Sequence, residues 1–309
     1  MKTSLALIGV LAAAPVAAEP PPLAGLLEQV GKYVRGYQHD FATVISDETY
    51  VQSERYTERV SGKDHVSSAQ RTMGSEMLFL WMPEEREWLA VRNVLIVDRK
   101  PVADSRARLD QWLASTPGAL GRLRNLRDES ARFNIGRLTR NTSDPTLALR
   151  VVDPAYQPRF TFTLTSGETI NGIAVHRLTF VEIPQTTTMV MVDDHAVTAN
   201  GAIWVTESGI VMRTRLELDD PKTHVDVAMT VSYARDAKLG GWVPAHMDES
   251  YTQRENNLDA ENGLKAATGG RINGQKLQVR TAFDETITCV ATYSNYRRFE
   301  TSGRVLPPR

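Results

Sequence analysis

The chain has too few cysteines, too little charge excess and too few long apolar runs to belong to several common protein classes. Its 309 residues include one cysteine, Cys289, so no disulfide can form within the chain. Basic and acidic residues nearly cancel, 36 against 37, which leaves a formal charge of -1. A dedicated nucleic-acid binder needs a basic excess to neutralise phosphates, so that class does not fit. Stability must come from packing of the 41% of residues that are hydrophobic.

The long hydrophobic run that does occur lies near the start. Lys2 precedes an apolar run from Leu5 to Ala14, and small residues at 16–18 follow Pro15. This order is typical of a secretory signal peptide, and the run is shorter than the roughly 20 residues that span a membrane. We therefore predict a signal peptide over residues 1–18, no transmembrane segment, and a periplasmic or secreted protein.

Motifs for catalysis and for metal binding are also lacking. Gly-x-Ser-x-Gly is absent, and none of the six histidines has a second histidine at helical spacing. Cys289 lies among apolar residues of a predicted strand, which favours an inert, buried thiol. We predict no enzyme activity, no cofactor and no metal site. A cleft in which His224, Asp226 and a third polar group converge would reopen the enzyme hypothesis.

Carboxylate pairs are expected to be solvated turn residues. They include Asp47-Glu48 and Asp219-Asp220, which lie at predicted strand ends or turns. The stretch from Gly62 to Ala69 is likewise expected to be a polar loop.

The second half of the chain shows an alternation of apolar and polar residues. It is clearest over Thr223–Tyr233 and recurs over Arg159–Thr165 and Gly209–Leu218. A period of two buries one face of a strand. Short connections such as Asp219–Lys222 favour antiparallel pairing, because parallel strands need a long crossover. A further strand is predicted over Leu147–Val152.

Helices are predicted in the first half of the chain. Apolar residues recur at steps of three and four over Leu23–Phe41, and two more helices are expected around Leu109–Leu113 and Leu120–Leu126. The fold class is therefore α+β: about ten strands in a large curved antiparallel sheet, with two or three helices on its concave face.

This reading gives one folded domain with short extensions. We expect a tether at 19–22, a single domain over 23–295 with a mobile insertion at 256–274, and a C-terminal tail at 296–309.

Two strand-pair sequences resemble a known family. Gly201–Arg213, with the sequence GAIWVTESGIVMR, and Gly241–Met247 followed by Tyr251 are similar to the periplasmic lipoprotein-carrier superfamily of the LolA and RseB type. Trp88–Pro101 also resembles a group of uncharacterised exported bacterial proteins. The carrier resemblance implies a half-barrel that helices plug and that holds acyl chains or a lipidated signal.

We therefore expect a non-enzymatic envelope protein that binds a lipid, an acyl chain or a lipidated protein between sheet and helices. The alternative is an envelope sensor or scaffold that recognises another protein through a sheet edge or the insertion. The residues expected to line the hydrophobic cavity are Phe160, Phe162, Leu164, Trp204, Met212, Leu216, Val225, Val227, Met229 and Val231.

Overall fold

The structure is a computed structural model that describes most of the chain after residue 21. The described residues are 22–42, 44–82, 87–105, 107, 109, 128–138, 140, 143–184, 190–192, 195–256, 271–272, 275–276 and 280–298. The predicted signal peptide and the helix predicted around Leu120–Leu126 lie outside these residues. So do most of the insertion and, apart from Leu109, the helix predicted around Leu109–Leu113.

One α-helix and fifteen strands are described, and three short 3-10 helices lie between them. The helix is α1, Leu23–Asp40, and the 3-10 helices are Ala131–Phe133, Leu147–Val152 and Gln157–Arg159. The strands are β1 Val44–Val60, β2 Lys63–Met82, β3 Glu87–Val97, β4 Lys100–Pro101, β5 Phe160–Ile170, β6 Ile173–Glu182, β7 Val190–Val192, β8 His195–Val197, β9 Ala199–Val205, β10 Val211–Asp220, β11 Val225–Arg235, β12 Trp242–Asn256, β13 Arg271–Ile272, β14 Gln275–Lys276 and β15 Arg280–Arg298.

Eleven of these strands form one open, curved sheet, which confirms the predicted fold class. The order is β4-β3-β2-β1-β15-β12-β11-β10-β9-β6-β5, and every neighbouring pair is antiparallel. The first long strand pairs with the last, from Val44 opposite Arg298 to Val60 opposite Arg280. The last strand ends at Arg298, within the segment 296–309 that was expected to be a tail.

Two segments differ from the sequence-based expectation. Leu147–Val152 is a 3-10 helix with four buried apolar residues, whereas we predicted a strand. The segment is an apolar run without alternation, and such a run does not distinguish a strand from a buried helical turn. The expected polar loop Gly62–Ala69 instead starts strand β2. Ser61 and Gly62 both have positive φ, which is the geometry of a two-residue hairpin turn.

Helix α1 packs its apolar stripe onto the concave face of the sheet. Leu26, Val30 and Val34 are buried in one core with residues of β9, β10 and β11. Each such side chain contributes about 1.5–3 kcal/mol by leaving water. No helix in the described part of the chain is both long and apolar enough to cross a membrane.

Polar contacts join α1 to the irregular segment over residues 147–159, which packs beside it. The Gln38 side chain donates to Asp153 Oδ2 at 2.6 Å, and Gln157 Nε2 donates to the Leu27 carbonyl at 3.0 Å. The helix and the two 3-10 helices over 147–159 therefore form one cover over this part of the sheet.

The backbone of α1 lies directly against Gly209, so we predict that Gly209→Ala disrupts the packing of the helix. Its φ is +82°, and an added Cβ would lie 2.6 Å from the Gln29 carbonyl carbon and 2.7 Å from the Val30 nitrogen. We expect a loss of about 2–5 kcal/mol in unfolding free energy, measured with urea. Gly240→Ala is the control: its φ is +71°, but the added Cβ would meet nothing within 4 Å. It should lose only about 1–2 kcal/mol. Equal losses in the two variants would contradict this packing.

Candidate ligand-binding face

The concave face of the sheet holds most of the residues predicted to line a cavity. Those buried in the same core as α1 are Phe160, Leu216, Met229 and Val231, and those packed against that core but only partly buried are Phe162, Leu164 and Val227. Val225 is buried outside that core. Seven of the ten predicted residues therefore belong to the face that α1 covers.

Trp204 and Met212 lie elsewhere, in a second cluster with Ile170 and Val175. Trp204 follows Ile203, which is in the main core, so the strand alternation turns it to the opposite face. Met212 is displaced by a register shift between Val211 and Arg213. Such a bulge reverses which residues of a strand face inward.

The apolar part of the concave face is not fully covered at its edge strand. Phe162 and Leu164 on β5 are only half-buried, although both pack against the core. On the neighbouring strand, Leu178 and Phe180 are completely buried. Burial of this apolar face therefore decreases toward the edge of the sheet.

A buried ion pair marks the other half of the concave face. Arg92 Nε and Nη2 donate to the two carboxylate oxygens of Glu48 at 2.6 and 2.8 Å. The guanidinium carbon lies 4.1 Å from the ring centroid of Tyr50. Burial acts to lower the pKa of Arg92, but the Glu48 carboxylate outweighs it and holds that pKa well above its usual value. The pair is therefore charged and out of contact with water.

Glu249 is a second buried acceptor on this face. It accepts hydrogen bonds from the hydroxyls of Tyr50 at 2.6 Å, Tyr251 at 2.9 Å and Ser143 at 3.2 Å. Burial, and next the Glu249 charge, raises the pKa values of both tyrosines well above the usual range. The tyrosines are therefore neutral donors that satisfy a buried carboxylate.

Arg140 lies between these groups and is almost completely buried. Its Nη1 donates to the Cys289 sulfur at 2.7 Å, and its Nη2 donates to Gln52 and to the Ile135 carbonyl. Burial raises the pKa of the Cys289 thiol. The cysteine is therefore buried, as the sequence predicted, and the raised pKa keeps its thiol neutral.

Sequence reasoning missed this polar half of the face. Glu48 was expected to be a solvated turn residue, but it lies within β1 and is 3% exposed. Asp220 was expected likewise and is 2% exposed. The signal was present in the alternation of β1, because Glu48 and Gln52 occupy the same side of the strand as Val44 and Tyr50. Their partners, however, come from distant parts of the chain.

A separate groove brings together the histidine and aspartate that we singled out in the sequence. His224, Asp219 and Asp226 line an open groove of about 820 Å³. They share this cleft, as an enzyme site would require, but no side-chain hydrogen bond joins any two of them in the described part of the chain. Two ion pairs also line the groove, Arg59 with Asp64 and Arg254 with Asp284. Among the described residues, no three His, Cys, Asp or Glu side chains are arranged to hold a metal ion.

The buried ion pair predicts an asymmetric response to mutation. Arg92→Met should lower the unfolding free energy by about 3–5 kcal/mol, because it leaves the Glu48 charge buried and unpaired. The double variant Glu48→Leu/Arg92→Met should recover most of that loss. Arg59→Met, which breaks an exposed pair, should cost less than about 1 kcal/mol. Denaturant unfolding measures all three, and similar losses for both single variants would contradict the buried pair.

The buried tyrosines predict alkaline unfolding. Burial raises the pKa values of Tyr50, Tyr251 and Tyr293 well above the ordinary value of about 10. The folded state keeps these protons while the unfolded chain loses them, so stability is full below about pH 10 and falls as the pH rises further. Tyrosinate absorbance should therefore rise together with the loss of β-sheet circular dichroism. Ionisation of all tyrosines before unfolding would contradict their burial.

Comparisons with known proteins identify no family. No protein-family model matches the chain, and no curated protein matches its sequence. Among solved structures, the chain is similar to a DUF1329 family protein from Desulfovibrio piger ATCC 29098, at 11% identity and a TM-score of 0.30, over 90% of this chain and 94% of that one. A putative outer membrane lipoprotein-sorting protein domain from Vibrio parahaemolyticus matches at 9% identity and a TM-score of 0.28, with the same coverages. Lipovitellin matches at 7% identity and a TM-score of 0.30, over 85% of this chain but only 26% of its own. These similarities are too low to carry an argument about function.

Proposed function

We propose that this protein is a non-enzymatic envelope protein that binds a lipid, an acyl chain or a lipidated protein on the concave face of its sheet. The observation that carries the proposal is an apolar core that α1 shares with the concave face of β5, β6, β9, β10 and β11 and whose burial decreases toward β5. Among the described elements, α1 and the 3-10 helix Leu147–Val152 cover that face. A concave apolar surface under a removable cover is the usual form of a site for an apolar ligand.

The attachment of α1 supports its role as that cover. The core contacts of α1 with the sheet are apolar, while a hydrogen bond from Gln38 to Asp153 and one from Gln157 to the Leu27 carbonyl join the helix to the irregular segment. Apolar contacts are not directional, so an acyl chain can replace them with a similar gain from removal of apolar surface from water. Helix and segment can therefore move together when a ligand enters.

The edge strand gives the ligand its entry. Phe162 and Leu164 on β5 are apolar, point to the concave face and are only half-buried. An acyl chain that contacts them and then passes below α1 buries further apolar surface at each step, at roughly 25 cal/mol per Å².

The alternative function, recognition of another envelope protein, stays a prediction. The insertion at 256–274 lies largely outside the described residues, while β5 ends the sheet with no described strand on its outer side. Recognition through that edge would use backbone hydrogen bonds and would not depend on the apolar face.

A pair of substitutions on one hairpin tests the proposed site. Leu164→Asp places a charge on the concave face, whereas Val181→Asp places one at a residue of β6 that is 56% exposed. We expect Leu164→Asp to weaken binding of a fluorescent fatty acid at least about tenfold, because the chain would have to desolvate a carboxylate. Val181→Asp should bind like the unchanged protein. Circular dichroism checks that both variants fold, and equal affinities for the two variants would contradict the proposal.

A further inference from the structure

At one end of the concave face, two acidic side chains and an aromatic ring lie together on the central strands. Tyr56 on β1 and Glu285 on β15 are directly opposite each other in the strand register. Glu54, two residues before Tyr56, lies beside Glu285 across the strand pair. Burial, and next the contact with Glu285, raises the pKa of Glu54. Two carboxyl groups therefore share one small space.

Glu285 is buried and incompletely satisfied. It is 1% exposed, and its Oε1 accepts a hydrogen bond from the Arg137 backbone nitrogen at 2.9 Å. Its Oε2 is buried and has no hydrogen-bond partner that meets the usual geometry. Buried acceptors in proteins are nearly always satisfied, so an unsatisfied one points to a missing donor.

The chain's own Arg137 shows what kind of donor fits. Its guanidinium carbon lies 4.4 Å from the centroid of the Tyr56 ring, and the residue is exposed. No described carboxylate forms an ion pair with this guanidinium. A cation over an aromatic face beside carboxylates is a standard mode of ammonium and guanidinium recognition. The backbone of Arg137 is held by Glu285, but its guanidinium makes no described ion pair, so another cation can take the place of that guanidinium over the ring.

This acidic end is continuous with the apolar face. The strand register places Val227, Tyr251, Ile287 and Glu54 side by side across four neighbouring strands. At roughly 4.8 Å between strands, Val227 and Glu54 are about 14 Å apart. Residues 133–138 and 140, which we call the strap, lie over this row: a Cβ on Gly136 would touch Ile287, and Arg140 faces the Tyr251 ring at 5.2 Å.

Polar contacts hold the strap to the sheet, mainly as donors to sheet acceptors. The Ile135 nitrogen donates to Gln52, and the Arg137 nitrogen donates to Glu285. Two contacts run the other way, from Gln52 and Arg71 to the Phe133 carbonyl. A ligand with a donor-rich, positively charged end therefore reproduces what the strap supplies.

We infer that Glu54, Glu285 and Tyr56 form a receptor for an ammonium or guanidinium group, and that the ligand is an amphiphile with a cationic head. The inference rests on the proposed function for the ligand's apolar body. The body lies along the row from Val227 to Ile287 in place of the strap, and the head takes the position of the Arg137 guanidinium.

Calorimetric titration with three amphiphiles of equal chain length tests the inference. We expect the full chain to bind dodecylammonium about tenfold more tightly than dodecanoate or dodecyl glucoside. A ratio of about ten corresponds to the free energy of one charge-assisted hydrogen bond. Arg137→Ala should strengthen dodecylammonium binding further, because it removes the internal competitor. Glu285→Gln should abolish the preference. Glu54→Gln should also abolish the preference for dodecylammonium. Because Glu54 is only half-buried, this variant replaces Glu285→Gln in the test if Glu285→Gln does not fold.

Asp284→Asn is the matched control. Asp284 is the neighbour of Glu285, but it is exposed and pairs with Arg254, so its neutralisation should leave the preference unchanged. Equal affinity of the unchanged protein for all three amphiphiles would overturn the cation receptor while the proposed function stands. If Asp284→Asn also abolished the preference, the cation receptor would be overturned too, because the preference would then reflect the overall charge of the protein.

A probe without an acyl chain separates the two claims. If no amphiphile binds, the proposed function fails, and n-butylammonium then tests the receptor alone. In protein with isotope-labelled tyrosine, n-butylammonium should shift the Tyr56 ring signal of Arg137→Ala and not that of Arg137→Ala/Glu285→Gln. The signal is assigned with Tyr56→Phe. Absence of a shift in Arg137→Ala, or equal shifts in both variants, would overturn the receptor.

Discussion

The pairing of β1 with β15 is the constraint on which the rest of the structure depends. It is the only link in the described sheet order between β2, β3 and β4 on one side and the six strands from β12 to β5 on the other. The two strands are separated by most of the chain yet pair almost along their full lengths. Such a pairing closes a very long loop, so it forms only when the contacts that surround it also form. The core on the concave face therefore has to assemble as one unit.

The same central strands divide the concave face into two chemical halves. From β5 to β11 most inward residues are apolar and pack in one core with α1, with Glu182 and Thr214 as buried exceptions. On β1, β12 and β15 the inward residues include Glu48, Glu249 and Glu285, all of them buried. Carboxylates in such a position are costly unless donors satisfy them, and Arg92, the tyrosines and the strap provide most of these donors. An apolar face that ends in buried carboxylates, one of them incompletely satisfied, matches the amphiphile proposed as the ligand.

The sequence predicted those parts of the fold that local patterns determine. The alternation over β11 and the short hairpin connections were sufficient for an open antiparallel sheet with a helix on its concave face. The strand predicted over Leu147–Val152 was wrong because a mainly apolar run shows neither the period of a strand nor that of a helix. Met212 was placed on the concave face because a bulge, which changes the alternation at one residue, has no clear sequence signal. Glu48 and Arg92 are 44 residues apart, and only the completed sheet shows that they are partners.

The central claim is that the concave face holds an amphiphile, and native mass spectrometry of protein isolated without detergent tests it most directly. The account predicts that the folded protein from envelope extracts carries one bound amphiphile, and that extraction with organic solvent followed by refolding removes the added mass. Protein with only its own mass before extraction, and no added mass after incubation with lipid extract, would contradict the account.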